Sequence, residues 1–251
     1  MATNNILEIK ELSCSYDGKK DVIKNCNLKI EKGIICAIVG ESGSGKSTLL
    51  RLISGLERPN KGTIKINDKI VSSDFKITPV QERNVGLVFQ DFALFPHLTI
   101  KENIAFGLKT QKEKITQELL KMIKMEKFAD RYPKEISGGQ EQRVSIARTL
   151  ALSPELLLLD EPFSNLDQDL KKELRQEIKN IVKSINTTLI FITHDIIDAL
   201  DIADEIIFLN DGKVIKHAKK DEIFKNIDND FINKSKSDLN YNSELILRAI
   251  K

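Results

Sequence analysis

The chain has 251 residues, of which 41% are hydrophobic, 30% charged and 6% aromatic, a composition that supports a globular core and excludes disorder along the whole length. Lysine and arginine number 39 against 37 aspartates and glutamates, a formal net charge of +2, so the clustered basic excess of a nucleic-acid groove is missing. Three cysteines, Cys14, Cys26 and Cys36, form no C-x-x-C pair, and with only three histidines they argue against a disulfide framework or a zinc knuckle and for buried thiols in a reducing compartment.

From the N-terminus, Met1-Ala2-Thr3-Asn4-Asn5 lacks a signal-peptide layout, and no apolar run approaches the ~20 residues that cross a bilayer. The expectation is a cytoplasmic protein whose membrane role is peripheral. Spaced apolar residues at Leu7, Ile9 and Leu12, alternation at Leu28 and Ile30, and again at Ile64 and Ile66, read as half-buried strands. Residues 34–39 differ, being one apolar run that ends at Gly40. Such a run fits a strand buried on both faces of a parallel sheet. Residues 156–159, 189–192 and 206–209 repeat the pattern and end at Asp160, Thr193 and Asn210, polar residues at strand carboxyl ends where α/β folds place ligand groups. Leu170, Leu174, Ile178, Ile181 and Ile185 keep a 3.6-residue period, which predicts an amphipathic helix over residues 168–185. Residues 91–152 are helical in pattern without a strand and read as an insertion beside the sheet. The polar tail from Asn226 onward is expected to be partly helical near Leu245-Ile246-Leu247.

Gly40-Glu41-Ser42-Gly43-Ser44-Gly45-Lys46-Ser47-Thr48 matches G-x-x-x-x-G-K-[ST] between a buried strand and a helix start. Glycines let backbone N–H groups wrap phosphate oxygens, and the helix N-terminus adds its positive dipole end. Lys46 then reaches the β- and γ-phosphates and the Ser47 hydroxyl holds Mg²⁺. Asp160 is delivered by its strand to the metal side, and Glu161 sits one residue further, placed to polarise a water. Ser137-Gly138-Gly139-Gln140 opens another helix and forms a second anion-binding tip. One nucleotide seldom needs two such tips, so the second is expected to meet phosphate bound by a partner subunit.

In order along the chain, Tyr16, residues 40–48, Gln90, residues 136–140, Asp160-Glu161, Ser164-Asn165-Leu166-Asp167 and Thr193-His194-Asp195 make the sequence resemble the nucleotide-binding subunit of an ABC transporter over residues 6–225. The resemblance implies an α/β P-loop NTPase core of RecA-like type, with an antiparallel β subdomain and a helical subdomain over 91–152. The nucleotide-binding domain would occupy residues 1–232 and a short polar tail residues 233–251. It further implies that Tyr16 stacks on adenine, unless it is an ordinary strand-edge tyrosine. Gln90 would touch Mg²⁺ and the attacking water, with Ser47 and Asp160 as the other metal ligands. Glu161 would be the general base, and His194 would hold the γ-phosphate. Asp167 would cross the interface of a head-to-tail homodimer, and Ser137, Gly138, Gly139 and Gln140 would close over ATP held by the other copy. Ile136 replaces the commoner Leu, and Asn165 stands where Ala is frequent.

The stretch around Pro79-Val80-Gln81-Glu82-Arg83-Asn84 and on to Thr99 resembles bacterial importers for ferric iron, polyamines, sulfate, molybdate and maltodextrins, with ferric iron the nearest likeness. Phe92, Leu94 and Phe95 either face a membrane permease or fill the helical subdomain. An extracytoplasmic solute-binding protein is implied as an indirect partner. A non-transport ABC ATPase acting on DNA or ribosomes is the alternative, disfavoured because Lys46 and Ser137 leave no room between them for a long coiled coil and because the charge is near zero.

Overall fold

Residues 4–164 and 167–225 are described by the computed structural model of the chain, so the polar tail, the boundary at 232/233 and Asn165-Leu166 lie outside the described residues. The chain opens with β1 (Asn5–Ser15) and β2 (Asp21–Glu31), an antiparallel pair, and then runs through β3 (Ile35–Val39) into α1 (Lys46–Ser54). β4 (Lys61–Ile66) and β5 (Lys69–Ser72) return to the first pair and complete a four-stranded antiparallel sheet in the order β2-β1-β4-β5. The next strand, β6 (Val85–Val88), precedes three helices, α2 (Ile100–Ala105), α3 (Lys112–Met122) and α4 (Gly138–Leu150). From there β7 (Leu156–Asp160), α5 (Gln168–Ser184), β8 (Thr188–Thr193), α6 (Ile196–Ile202), β9 (Glu205–Asn210) and β10 (Lys213–Lys219) follow.

The second sheet has six strands in the order β10-β9-β3-β8-β7-β6, parallel except for the β9–β10 hairpin. Its central strands are apolar through their middles because each face meets a different layer. Cys36, Ile38, Leu156, Leu158, Ile190 and Ile192 pack with α1 and the antiparallel sheet, while Ala37, Val39, Leu157, Leu159 and Phe191 pack with α4, α5 and α6. The result is an α/β P-loop NTPase core with an antiparallel sheet on one side and helices on the other, as the sequence predicts. The amphipathic helix predicted over 168–185 is α5, ending one residue earlier. The interval between β6 and β7 is helical, also as expected.

Arg83 is the main structural feature that the sequence does not announce. It is buried, and its guanidinium donates to the Leu52 and Ile53 carbonyls at the end of α1 (both 3.0 Å), to the Thr78 carbonyl (2.9 Å) and to Ser72 Oγ (2.8 Å). A cation at a helix C-terminus meets the negative dipole end and fills carbonyls that have no intrahelical donor. Gly55 closes α1 with φ of 90°, and a Cβ there would lie 2.4 Å from Arg83 Nε, so the glycine makes room for the guanidinium. Burial lowers the pKa of Arg83. Arg83→Met would strand several buried carbonyls, and we expect it to lower the unfolding free energy by about 2–4 kcal/mol. Urea denaturation followed by circular dichroism checks this, and an unchanged midpoint would deny Arg83 its structural role.

Candidate functional site

Every parallel strand of the six-stranded sheet ends on the same edge, and there the polar residues gather. β3 is buried along its length and leads into Gly40, where a Cβ would lie 2.3 Å from the Leu209 carbonyl oxygen. Gly45, with φ of 101°, starts α1 in a left-handed conformation, and a Cβ would meet Val22 O and Ile23 Cδ1 at 2.9 Å. Between them Gly43 (φ 81°) faces open space, and Glu41, Ser42 and Gly43 are exposed. The loop is thus pinned from below and bare above.

Lys46 bends back over this loop and donates to the carbonyls of Gly40 and Glu41, both at 2.9 Å. Burial lowers its pKa, with Glu161 and Asp160 pulling the other way. Ser44 Oγ is buried without a hydrogen-bond partner. An unpaired buried hydroxyl beside a desolvated ammonium and a helix N-terminus fits phosphate oxygens. Thr48 Oγ1 lies 3.1 Å from the hydroxyl of Tyr16, whose ring is otherwise exposed at the rim. The aromatic is therefore held beside the loop and not away from it.

β7 delivers Asp160 next to α1. Ser47 Oγ donates to Asp160 Oδ1 at 3.3 Å. Burial is the main cause of a raised Asp160 pKa, with Glu161 adding to it and the Ser47 bond opposing it. One hydroxyl and one carboxylate oxygen side by side suit Mg²⁺, which keeps most of its ligands as water and phosphate. Among the described residues no group of three or more His, Cys, Asp or Glu could hold a metal unaided.

Glu161 follows in a left-handed conformation (φ 44°) directly before Pro162, a backbone state costing about 1–3 kcal/mol for a residue with a Cβ. Its N–H donates to Ile192 O at 3.2 Å, and its Oε2 lies 3.1 Å from Nδ1 of His194, at the end of β8. Gln90 reaches the same region by another route. Its Nε2 donates to Ser164 Oγ (3.2 Å), which donates to the Glu161 carbonyl (2.9 Å). Gln90 is thus tied to the Asp160-Glu161 turn through Ser164, a link that sequence spacing did not suggest.

Ser137, Gly138, Gly139 and Gln140 sit at the start of α4. Ser137 and Gln140 form a capping box, Ser137 N–H donating to Gln140 Oε1 (2.9 Å) and Gln140 N–H to Ser137 Oγ (3.4 Å). A Cβ on Gly138 would meet nothing within 4 Å, whereas one on Gly139 would press on Leu170 of α5 at 3.3 Å. Asp167 caps α5 by accepting from Leu170 N–H at 2.9 Å. Phe92, Leu94 and Phe95 are all half-buried. Leu94 packs on the core, and Phe95 lies against exposed Phe106 with ring centroids 4.4 Å apart. Ser145 and Arg148 of α4 hold the Phe92 carbonyl at 2.9 and 3.1 Å. The stretch divides between the two readings: part core filling, part apolar surface. A groove of 1150 Å³ on the antiparallel sheet shares no lining residue with the phosphate loop.

Comparison with known proteins agrees with this fold. Residues 23–164 match the family described as ABC transporter. A probable sulfate/thiosulfate import ATP-binding protein from Chlorella vulgaris is 43% identical over 221 residues, spanning 86% of this chain and 92% of the relative. The corresponding protein of Synechococcus elongatus is 42% identical over 226 residues, 88% of this chain but only 64% of the longer relative. Among solved structures, a dimeric ATP-binding cassette, MJ0796, in a post-hydrolysis state with ADP and Pi is 35% identical, with a TM-score of 0.74 over 85% of this chain and 98% of that one. These relatives carry sulfate and thiosulfate in their names, so the expected nearness to ferric-iron importers is not supported.

The raised pKa of Asp160 has a consequence for stability. A carboxyl that titrates higher folded than unfolded makes the folded state bind the extra proton, so its contribution to stability falls as pH rises through that interval. We expect nucleotide-free Asp160→Asn to melt above the wild type at about pH 8 and to converge with it towards pH ~4, near the unfolded carboxyl pKa. Thermal melts without nucleotide or divalent cation check this, and a less stable variant at pH 8 would contradict it.

Proposed function

Because the chain belongs to the ABC transporter family of ATP-binding proteins, we propose that it is the ATP-hydrolysing subunit of a bacterial importer, acting on the cytoplasmic face of the membrane. The observation carrying this reading is that one chain offers two separate helix starts suited to anions, at Gly45 and at Ser137, each open to solvent on one side. Two copies placed head to tail would bury each nucleotide between the loop 40–48 of one and residues 137–140 of the other. The nucleotide-binding domain would be residues 1–232, followed by the tail 233–251.

In this reading Tyr16 supports the adenine ring, while Lys46 leaves the Gly40 and Glu41 carbonyls for the β- and γ-phosphates. Residues 40–48 supply backbone donors, and Ser44 Oγ gains the partner it lacks. Mg²⁺, held by Ser47, Asp160 and Gln90, would neutralise charge on the phosphates. Glu161 orients and deprotonates the attacking water. His194 leaves the Glu161 carboxylate to hold the γ-phosphate, freeing the base at the moment that ATP arrives. Asp167 reaches across to the other copy. Catalysis is then positioning plus charge stabilisation, as is usual for phosphoryl transfer. The apolar surface at Phe95 and Phe106 would receive the permease, and a solute-binding protein would deliver cargo from outside. The names of the relatives favour sulfate or thiosulfate as that cargo.

Glu161→Gln should bind ATP, lose turnover by about a hundredfold or more and accumulate nucleotide-bound dimers on size-exclusion chromatography. Brisk hydrolysis by that variant would reject the base. Lys46→Ala subunits mixed with Ser137→Arg subunits should recover hydrolysis that neither has alone, since one composite site stays intact, and failure to complement would reject the shared site. For the cargo, deletion should abolish uptake of labelled sulfate and spare that of ferric iron.

A further inference from the structure

Behind His194 lies a buried polar assembly that the chemistry above does not use. Thr193 Oγ1 donates to Asp198 Oδ2 at 2.9 Å and accepts from Asp195 N–H at 3.0 Å. One hydroxyl thereby closes the turn that holds His194 between its neighbours. The other oxygen of Asp198, Oδ1, accepts from Arg175 Nη1 at 2.8 Å, and Arg175 Nε donates to Asp201 Oδ2 at 2.8 Å. Arg175 and Asp198 are both buried, and Asp201 also accepts from Gln176.

Arg175 belongs to α5, the helix capped by Asp167 and touching Gly139 through Leu170. Asp198 belongs to α6, the helix capped by Asp195. The assembly therefore joins the helix that begins at Asp167 to the turn that carries His194. A buried ion pair is weak evidence for stability, since apolar residues of similar volume often do as well. What it supplies that apolar packing cannot is direction, because each bond fixes an angle as well as a distance. Burial raises the pKa of Asp198, which Arg175 and Thr193 counter by bonding to the charged form.

We propose that Arg175, Asp198 and Thr193 are positioning residues that set the orientation of His194 and make it follow displacements of α5. All three are buried, so they act through His194. When a second copy engages Asp167 and residues 137–140, a shift of α5 is passed through Arg175 and Asp198 to the His194 turn. The inference rests on the role given to His194 above.

The test uses the full chain and the fact that it holds only three histidines, His97, His194 and His217. Thr193→Val keeps shape and replaces the hydroxyl with a methyl group, and Asp198→Asn weakens both of the bonds to the carboxylate. Each should lower kcat about 3- to 30-fold with KM for ATP held within about twofold. In imidazole-selective NMR, assigned with His194→Gln, each should displace the His194 signals and leave those of His97 and His217 in place. Thr193→Val with an unchanged melting temperature and unmoved His194 signals overturns the proposal, whatever its turnover. If Asp198→Asn fails to fold, Thr193→Val decides alone. Should the His194 signals move as expected while His194→Gln hydrolyses at the wild-type rate, the positioning stands and the role of His194 in the reaction falls.

Discussion

β3, β7 and β8 are buried on both faces, so no side chain along their length can be polar without an internal partner. Polar chemistry is thereby confined to the last residues of these strands and those just past them. Gly40, Asp160 and His194 occupy those positions, with the phosphate loop, Glu161 and Asp195 next in line. Because the strands are parallel, all these positions fall on one edge, and the rigidity of a close-packed interior is passed to them. Lys46, Ser47, Asp160, Glu161 and His194 owe their mutual distances to that interior more than to one another.

The same burial explains what could be read from the chain without coordinates. Double-sided packing leaves continuous apolar runs, so residues 34–39, 156–159, 189–192 and 206–209 declare themselves, and α5 declares itself by period. The phosphate loop is legible because its glycines have no other use at that spacing. β6 is not, for it is a four-residue edge strand with a glycine at Gly86, where a Cβ would lie 2.3 Å from Thr149 Cγ2. β10 hides because, at the other edge, its lysines need no apolar partner on one side. Arg83, Arg175 and Asp198 read as ordinary charged residues, since their partners lie 5–31 positions away in elements that only folding brings together. The Gln90–Ser164 bond spans 74 positions and leaves no periodic trace.

Several groups assigned to nucleotide are already engaged within the single chain. Lys46 holds two carbonyls, His194 holds Glu161, Ser137 and Gln140 hold each other, and Asp167 caps α5. The donors among them, Lys46, His194 and the Ser137 and Gln140 N–H groups, could each trade a net contribution of about 1 kcal/mol for a charge-assisted bond to phosphate, whereas the Asp167 carboxylate could not. The Ser47 bond only partly offsets the desolvation of Asp160, and Glu161 keeps its left-handed backbone despite its bonds to Ile192 and His194, so these are the places where the resting fold retains tension.

The paired glycines at the tip of α4 divide their labour unevenly. Gly139 is fixed by the side chain of Leu170, whereas Gly138 borders nothing within 4 Å. A methyl group at Gly139 would be felt by the lone chain. One at Gly138 would cost the isolated subunit nothing, because alanine favours the first turn of a helix, and in the head-to-tail arrangement proposed above it would intrude only once another copy's phosphate approached. Variation at this site would thus pass every quality control that inspects single molecules, and its damage would surface only in company.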